Sequence, residues 1–259
     1  MQVVELAFDM FGDKQNPVLI ILHGFFASSR NWRQIAEKLA TDFCVYVLDA
    51  RNHGVSPHSE IMDYETMAAD VAHFLTQNHL QNVTLIGHSM GGKTAMWFAL
   101  NYANLVRNLI VVDIAPIDYK HSFEPLINAL KDLPLDKLTN RKQAELLLAN
   151  IIPELNYRQF LLQNLILKSG GYQWRIDLDI FQQNANNILV FPKTENVPQF
   201  IGRTLFMAGG NSNYIKPNST EMLFPFAKIQ VIPDAEHWIH VQQPDAFLNS
   251  VKFFALQSV

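Results

Sequence analysis

The chain has 259 residues, of which 49% are hydrophobic and 17% are charged, and its 20 basic and 24 acidic side chains give a net charge of −4. This composition is typical of a globular protein with a sizeable core, and it argues against a disordered chain and against a second independent domain. No block of like charges is present, so we expect no nucleic-acid partner.

Short apolar runs rich in β-branched residues alternate along the chain with segments of helical periodicity. This alternation predicts an α/β fold with a mostly parallel central sheet flanked by helices. Residues 2–8 alternate in polarity and predict an antiparallel edge strand, and residues 245–254 predict a final helix that begins near Pro244. The other predicted strands are residues 18–22, 43–48, 83–86, 109–112, 204–208 and 229–232.

The alternation of strands and helices stops between Val112 and Thr204. This stretch is rich in Leu, Ala, Gln and Lys, which favour helices. The predicted helices are residues 124–131, 141–152 and 157–167. We therefore expect a single domain over residues 1–259, with a helical cap inserted at approximately 117–197.

The segment Gly87-His88-Ser89-Met90-Gly91 has the pattern of a nucleophile elbow. It follows an apolar run and precedes a helix-like segment, which is the strand–turn–helix context that this turn requires. In such a turn the serine is held in a strained conformation, and the glycines two residues before and after it let the backbone pack closely. We therefore predict that Ser89 is a nucleophile.

A serine hydroxyl is a weak nucleophile at neutral pH and needs a general base within hydrogen-bond reach. In a doubly wound sheet, catalytic groups come from loops at the carboxyl ends of the strands. His237 follows the predicted strand 229–232 and comes last in chain order, so it is our candidate for the base. His240 and Asp245 match an acyltransferase-like spacing, but we interpret this weak match as coincidence because Pro244 begins a helix there.

Two backbone N–H groups are candidates for an oxyanion hole. His23-Gly24-Phe25-Phe26 follows the strand 18–22, and in hydrolases with a nucleophile elbow this loop supplies one of the two donors. We predict the N–H of Phe25 as that donor, with Gly24 allowing the loop to fold close. The second donor is the N–H of Met90, at the start of the helix after the elbow, where the helix dipole favours negative charge.

Taken together, these segments resemble the α/β-hydrolases over essentially the whole chain, and several motifs resemble the bacterial YbfF-type esterases. The motifs are DARNHGVSP (residues 49–57), GHSMGGK (87–93), DIAP (113–116), GGNS (209–212) and HWIH (237–240). RNHG and DIAP are more restrictive than the elbow, which many families share. The resemblance implies a small carboxylesterase or acyl thioesterase with a helical cap, no metal and no cofactor.

The acid is where this sequence departs from the commonest hydrolase pattern. That acid usually lies in the loop after the penultimate strand, here residues 209–214, which contains no carboxylate. Asp113 ends the strand that follows the elbow helix, a position that related hydrolases use as an alternative acid site. We therefore predict Asp113 as the acid. Asp234, three residues before His237, is the rival, and we expect it to shape the turn out of its strand.

These residues predict a serine esterase that acts on a small-molecule acyl ester or thioester through a Ser-His-Asp triad and an acyl-enzyme. A serine at the elbow disfavours dehalogenase and epoxide hydrolase chemistry, which use a carboxylate nucleophile on this fold. A carbon–carbon hydrolase, a cofactor-free perhydrolase or an acyltransferase could use the same residues. A non-catalytic binding module is the alternative outside enzymes, and it would require a broken triad. Apolar residues in the segment 123–181, where they face the site, favour an apolar acyl group.

The N-terminal residues and the lengths of the apolar runs give a prediction of where the protein is located. No basic leader precedes a long apolar core, so the N-terminus does not resemble a secretory signal. No apolar run is long enough to span a bilayer, and we see no amphipathic or lipidated anchor. We therefore expect a cytoplasmic protein with no stable membrane association. Its one cysteine, Cys44, cannot form an intrachain disulfide and is expected to be a buried strand thiol.

Overall fold

The computed structural model describes residues 2–257, and the strands in this range form a seven-stranded sheet and a separate two-stranded hairpin. The strands are β1 (Phe8–Phe11), β2 (Val18–Leu22), β3 (Cys44–Leu48), β4 (Val83–His88), β5 (Val106–Val112), β6 (Leu165–Lys168), β7 (Gly171–Trp174), β8 (Arg203–Gly209) and β9 (Lys228–Ile232). The α-helices are α1 (Arg33–Leu39), α2 (Tyr64–Gln77), α3 (Met90–Asn101), α4 (Glu124–Lys131), α5 (Arg141–Leu147), α6 (Leu155–Leu161), α7 (Leu178–Leu189), α8 (Ile239–Gln242) and α9 (Pro244–Leu256). None of the helices in the described range has the length and apolar character needed to cross a bilayer.

The large sheet has the strand order β1-β3-β2-β4-β5-β8-β9, and its strands are parallel except for β1. This arrangement confirms the predicted α/β fold with a mostly parallel central sheet. The register pairs Leu22 with Gly87 and His88 with Val112, so the carboxyl ends of β2, β4 and β5 lie side by side. The loops that follow these strands therefore meet at one edge of the sheet.

Helices cover both faces of the sheet because the central strands are apolar on both sides. On one face α1 and α9 pack their apolar stripes, including Leu39 and Phe247, against the sheet. On the other face α2 and α3 contribute Phe74 and Met96, among others. Cys44 is buried in β3, as its apolar run predicted.

The predicted edge strand at residues 2–8 is wrong in its bounds. The edge strand is β1, which pairs antiparallel with β3 from Phe8↔Leu48 to Phe11↔Val45. Before it, backbone N–H groups bond to side chains instead of to a neighbouring strand. The N–H of Val4 donates to Asp70 Oδ1 at 2.8 Å, and that of Ala7 donates to Ser56 Oγ at 2.9 Å. Polar and apolar residues are mixed in both residues 2–7 and β1, so the sequence pattern alone does not show which of them forms the strand.

The chain leaves the large sheet after β5 and returns to it at β8. The helices α4 to α7 lie between these strands, and α4 has the bounds that the sequence predicted. The predicted helix 157–167 is wrong in its second half, because α6 ends at Leu161 and β6 forms a hairpin with β7. Ser169 and Gly170, both with positive φ (52° and 83°), make the two-residue turn that this hairpin requires.

Candidate active site

The turn between β4 and α3 has the strained geometry of a nucleophile elbow. Ser89 lies at its tip with φ 53° and ψ −119°, a backbone conformation that non-glycine residues rarely adopt. The flanking glycines are needed for space. A Cβ atom on Gly87 would lie 2.2 Å from the carbonyl oxygen of Gly91, and one on Gly91 would lie 2.3 Å from that of Leu22. The serine side chain is thereby presented, half-buried, at the carboxyl edge of the sheet.

Asp113 and His237 are brought together from loops that are far apart in sequence. Asp113 directly follows β5, and its side chain is fully buried. Its Oδ2 lies 2.9 Å from Nδ1 of His237, whose side chain is 24% exposed. An imidazole with one nitrogen on a buried carboxylate and one edge open to solvent is suited to act as a general base.

The Asp113 carboxylate is also held by the loop after β8. The backbone N–H of Gly209 donates to Oδ1 at 3.0 Å, and the Ser212 hydroxyl donates to Oδ2 at 2.5 Å. Ser212 thus shares the oxygen that faces His237. The sequence shows that this loop has no carboxylate, but it does not predict the contact between the Ser212 hydroxyl and Asp113. Ser212 lies in the loop where the acid is usually found, and this position was the signal in the sequence that could have pointed to its contact with Asp113.

Two aromatic side chains fix the plane of the His237 ring. The Tyr214 ring stacks on it, with centroids 4.2 Å apart and planes inclined by 24°. The His88 ring lies on it at 4.6 Å, and His88 Nε2 donates to the His237 carbonyl at 2.8 Å. Burial, followed by the charge of His237, holds the pKa of His88 well below its ordinary value. His88 is therefore a neutral support for the ring, as expected for a residue inside the elbow.

Within residues 2–257, the Ser89 hydroxyl makes no hydrogen bond to the His237 imidazole. The two residues are instead linked through His88, which is the neighbour of Ser89 in the chain and contacts the His237 ring and backbone. Hydrogen bonds between a nucleophile and its base often tighten only in the Michaelis complex. The arrangement thus holds the His237 imidazole beside the elbow.

Asp234, the rival acid, lies in the exposed turn after β9. Its φ of 56° is the left-handed conformation that Asp tolerates in turns. Its carbonyl oxygen accepts from Gln243 Nε2 at 3.4 Å, and its carboxylate makes no hydrogen bond to His237 in the described part of the chain. Asp113 is the carboxylate that contacts His237.

The two candidate oxyanion donors lie on either side of Ser89. A Cβ atom on Gly24 would lie 3.3 Å from Ser89 Cβ, so the loop that carries Phe25 passes directly over the elbow. Met90 is the first residue of α3, where helical N–H groups have no partner within the helix. Neither the N–H of Phe25 nor that of Met90 donates to another backbone or side-chain group of residues 2–257. Both donors are therefore free to bind an oxyanion.

His23 shapes the loop that carries Phe25. Its Nδ1 donates to the carbonyl of Gly24 at 2.8 Å, and its Nε2 accepts from the N–H of Ala50 at 3.0 Å. Burial lowers the pKa of His23, in keeping with a neutral ring that donates at one nitrogen and accepts at the other. Such a ring joins the loops after β2 and β3.

Aromatic side chains from the inserted segment line the space beside the elbow. Phe181 of α7 stacks on Phe25 with ring centroids 4.7 Å apart, and Phe123 meets Phe25 edge-on at 5.0 Å. Phe26 contacts both of these rings. The apolar residues expected to face the site from segment 123–181 therefore include these two phenylalanines.

Lys93 of α3, in the GHSMGGK motif, joins the elbow helix to the inserted segment. Its ammonium group is buried and donates to the carbonyls of Leu189 and Val190, at 2.8 and 3.0 Å, at the end of α7. It also lies 4.8 Å from the centre of the Tyr119 ring. Burial lowers the pKa of Lys93 to about 7. The last carbonyls of α7 thus receive their hydrogen bonds from the helix that begins at the nucleophile.

Comparison with known proteins shows which family the chain belongs to. Residues 17–244 match the family described as alpha/beta hydrolase fold. A Danio rerio protein named sn-1-specific diacylglycerol lipase ABHD11 is 43% identical over 263 residues, which cover 97% of this chain and 82% of that protein. Escherichia coli (strain K12) esterase YbfF is 31% identical over 241 residues, which cover 92% of each protein.

A solved structure described as a marine microorganism esterase is similar over nearly the whole molecule. It superposes with a TM-score of 0.92 at 40% sequence identity, and the match covers 97% of this chain and 99% of that one. The family match and these relatives confirm the predicted fold and the resemblance to the YbfF-type esterases.

Proposed function

The chain belongs to the α/β-hydrolase family and is a carboxylic ester hydrolase, and we propose that it works as a serine esterase with the triad Ser89, His237 and Asp113. The observation that carries this proposal is the 2.9 Å hydrogen bond between Asp113 Oδ2 and His237 Nδ1. It lies beside a serine in the strained conformation of an elbow. A nucleophile, a base and a buried acid are thus available at one edge of the sheet.

The proposed reaction begins with attack of Ser89 Oγ on the ester carbonyl carbon while His237 Nε2 takes the hydroxyl proton. The carbonyl oxygen becomes an oxyanion, which accepts hydrogen bonds from the N–H groups of Phe25 and Met90. Collapse of this intermediate breaks the bond to the leaving oxygen, which receives the proton from His237. Water, deprotonated by His237, then attacks the acyl carbon of the acyl-enzyme. Collapse of this second intermediate breaks the bond to Ser89 Oγ, which receives the proton from His237, and the acid is released.

Asp113 stabilises the imidazolium that forms at His237 in both steps. Because the carboxylate is fully buried, its charge acts on the ring with little screening by water. The N–H of Gly209 and the hydroxyl of Ser212 each donate a further hydrogen bond to it. We assign to Ser212 a positioning role, which keeps Oδ2 directed at the histidine in a loop that lacks the usual acid.

We also propose that the inserted segment, at approximately 117–197, acts as a cap over the site. Its Phe123 and Phe181 rings pack on Phe25, next to the proposed oxyanion donor. An acyl chain leaving the elbow on this side would meet aromatic surface, which favours apolar acyl groups. The hydrogen bonds from Lys93 anchor the end of α7 to the elbow helix.

The substrate assignment predicts that simple esters with short to medium apolar acyl chains are cleaved, and that acyl thioesters are cleaved as well. Turnover of p-nitrophenyl acyl esters and acyl-CoA thioesters by the purified protein measures this, with a diketone to detect carbon–carbon hydrolysis. Turnover of neither ester class, with Ser89 still labelled by a fluorophosphonate, would show the substrate assignment wrong and the nucleophile right.

Metal removal is expected to leave the activity unchanged. Within residues 2–257 no group of three or more His, Cys, Asp or Glu side chains is arranged to hold a metal ion. In the proposed reaction, protein groups stabilise both charges that form, the oxyanion and the His237 imidazolium. The check is the rate of ester hydrolysis before and after exhaustive chelation, followed by addition of zinc or manganese. An activity that is lost on chelation and restored by either metal would contradict this mechanism.

A further inference from the structure

A groove lined by three arginines lies between the turn at residues 28–31 and the inserted segment. Its volume is about 290 Å³. Arg30 comes from the turn, Arg141 from the first residue of α5, and Arg175 from the residue after β7. Apart from Phe26, the other described residues that line it are serine, asparagine and glutamine, and none is acidic. We call this feature the arginine groove.

Two of the three guanidinium groups have no hydrogen-bond or ion-pair partner among residues 2–257. Within residues 2–257, the side chains of Arg30 and Arg175 make no hydrogen bond and no ion pair, whereas Arg141 donates to the carbonyl of Leu165 at 2.7 Å. By contrast, Arg33 is paired with Glu37 at 2.9 Å, and Arg51 is paired with Asp70 at 2.7 Å. The guanidinium donors of Arg30 and Arg175 are therefore free for a ligand.

This grouping of positive charge is not a consequence of an overall basic chain. The net charge is −4, so acidic side chains are in excess. Burial, and then the positive charge of Arg30, lowers the pKa of the Arg175 guanidinium, and Arg141 acts in the same direction. Asp49 opposes this effect, but its two oxygens already accept the N–H groups of Ser29 and Val55, at 2.6 and 2.9 Å. An anion in the groove would relieve the repulsion.

The arginine groove shares a loop with the candidate oxyanion hole. Phe26 lines the groove, and its carbonyl accepts from Asn164 Nδ2 at 2.8 Å. The preceding residue, Phe25, carries the proposed oxyanion donor, and Gly24 lies against Ser89. The groove therefore begins one residue along the chain from the proposed oxyanion donor, and the anionic group of a substrate with its carbonyl at Ser89 would have to follow this loop to reach the arginines.

The arrangement of the donors favours a phosphate over a carboxylate. A guanidinium presents its N–H groups in a planar fork that matches pairs of oxygens on either anion. A carboxylate has two oxygens in one plane, whereas a phosphate monoester has three terminal oxygens directed to different sides and up to two negative charges. Three guanidinium groups from three parts of the chain fit the second pattern. We propose that the arginine groove binds a phosphate group carried by the ester substrate, an inference that rests on the proposed esterase function.

The test compares two soluble substrates that differ only in a phosphate, 1-butyrylglycerol and 1-butyrylglycerol 3-phosphate. We expect the wild type to prefer the phosphate ester in kcat/KM, and we expect the double variant Arg30→Gln/Arg175→Gln to lose about tenfold of that preference, mainly through KM. The matched control is Arg33→Gln, which removes an exposed arginine outside the groove and should keep the wild-type preference. Circular dichroism of each variant verifies folding.

Calorimetric titration with inorganic phosphate separates this inference from the proposed function. Phosphate binding that is lost in the double variant, together with the loss of preference, supports the inference. Equal kcat/KM for the two esters in the wild type, or a preference that survives in the double variant, overturns it. Arginine-dependent phosphate binding with no preference between the esters would assign the groove to free phosphate and overturn the substrate claim. Failure to hydrolyse either ester, with phosphate still bound, would contradict the esterase proposal and leave the groove as a phosphate site.

Discussion

Replacement of Ser89 by alanine is expected to lower kcat for ester hydrolysis by a factor on the order of 10⁵–10⁶. The substitution removes the oxygen that forms the acyl-enzyme, and no other hydroxyl occupies the tip of the elbow. His237 and the N–H groups of Phe25 and Met90 remain, so a residual rate above the uncatalysed reaction is expected. The measurement is steady-state hydrolysis of a p-nitrophenyl ester by purified wild type and Ser89→Ala.

The matched control for this prediction is Ser219→Ala. The Ser219 hydroxyl donates to the carbonyl of Lys216 at 2.7 Å, in a surface turn remote from the elbow in the chain. Its removal should leave kcat within about twofold of the wild type, because surface substitutions away from special features change stability by only about 0.5 kcal/mol. Retention of activity in Ser89→Ala with a folded protein would refute the assignment of the nucleophile.

The second large effect is expected for Asp113→Asn, which should lower kcat roughly 10³–10⁴-fold while keeping the fold. The amide has the size of the carboxylate but no charge, and it presents an N–H₂ group where His237 Nδ1 now finds an acceptor. The histidine is then driven towards the wrong tautomer, and the imidazolium loses its counter-charge. Measurements of kcat and of the melting temperature separate this catalytic effect from unfolding.

Asp234→Asn provides the comparison for that prediction. Asp234 lies in an exposed turn, and its carboxylate does not contact the base. Asparagine tolerates the same left-handed conformation, so this variant should cost far less activity. Near-normal kcat in Asp113→Asn, or a larger loss in Asp234→Asn than in Asp113→Asn, would contradict the choice of acid.

Much of the fold could be predicted from the sequence because the signals are local. The buried strands β2 and β3 read as continuous apolar runs, and the elbow needs glycines at fixed spacing for steric reasons. His237 and Asp113 were identified by their places after strands, since the carboxyl ends of parallel strands meet at one edge. Chain order and position thus predicted a contact that the structure places at 2.9 Å.

What could not be predicted depends on contacts between segments that are distant in sequence. Ser212 matters because its loop lies beside Asp113, which is 99 residues away in the chain. Tyr214 belongs to the site because its ring stacks on His237, 23 residues further along the chain. The three arginines of the groove come from separate segments with no shared motif. The hairpin of β6 and β7 was missed because Leu165 and Leu167 continue a helical composition until the turn at Ser169 and Gly170 reverses the chain.

Covalent labelling tests the central claim of a serine nucleophile most directly. The wild-type protein is incubated with a fluorophosphonate, which phosphonylates activated serines, and the modified peptide is located by mass spectrometry. We predict a single adduct on Ser89, formed in step with the loss of esterase activity, and no adduct in Ser89→Ala. An adduct on another serine, or full activity after complete labelling of Ser89, would contradict the account.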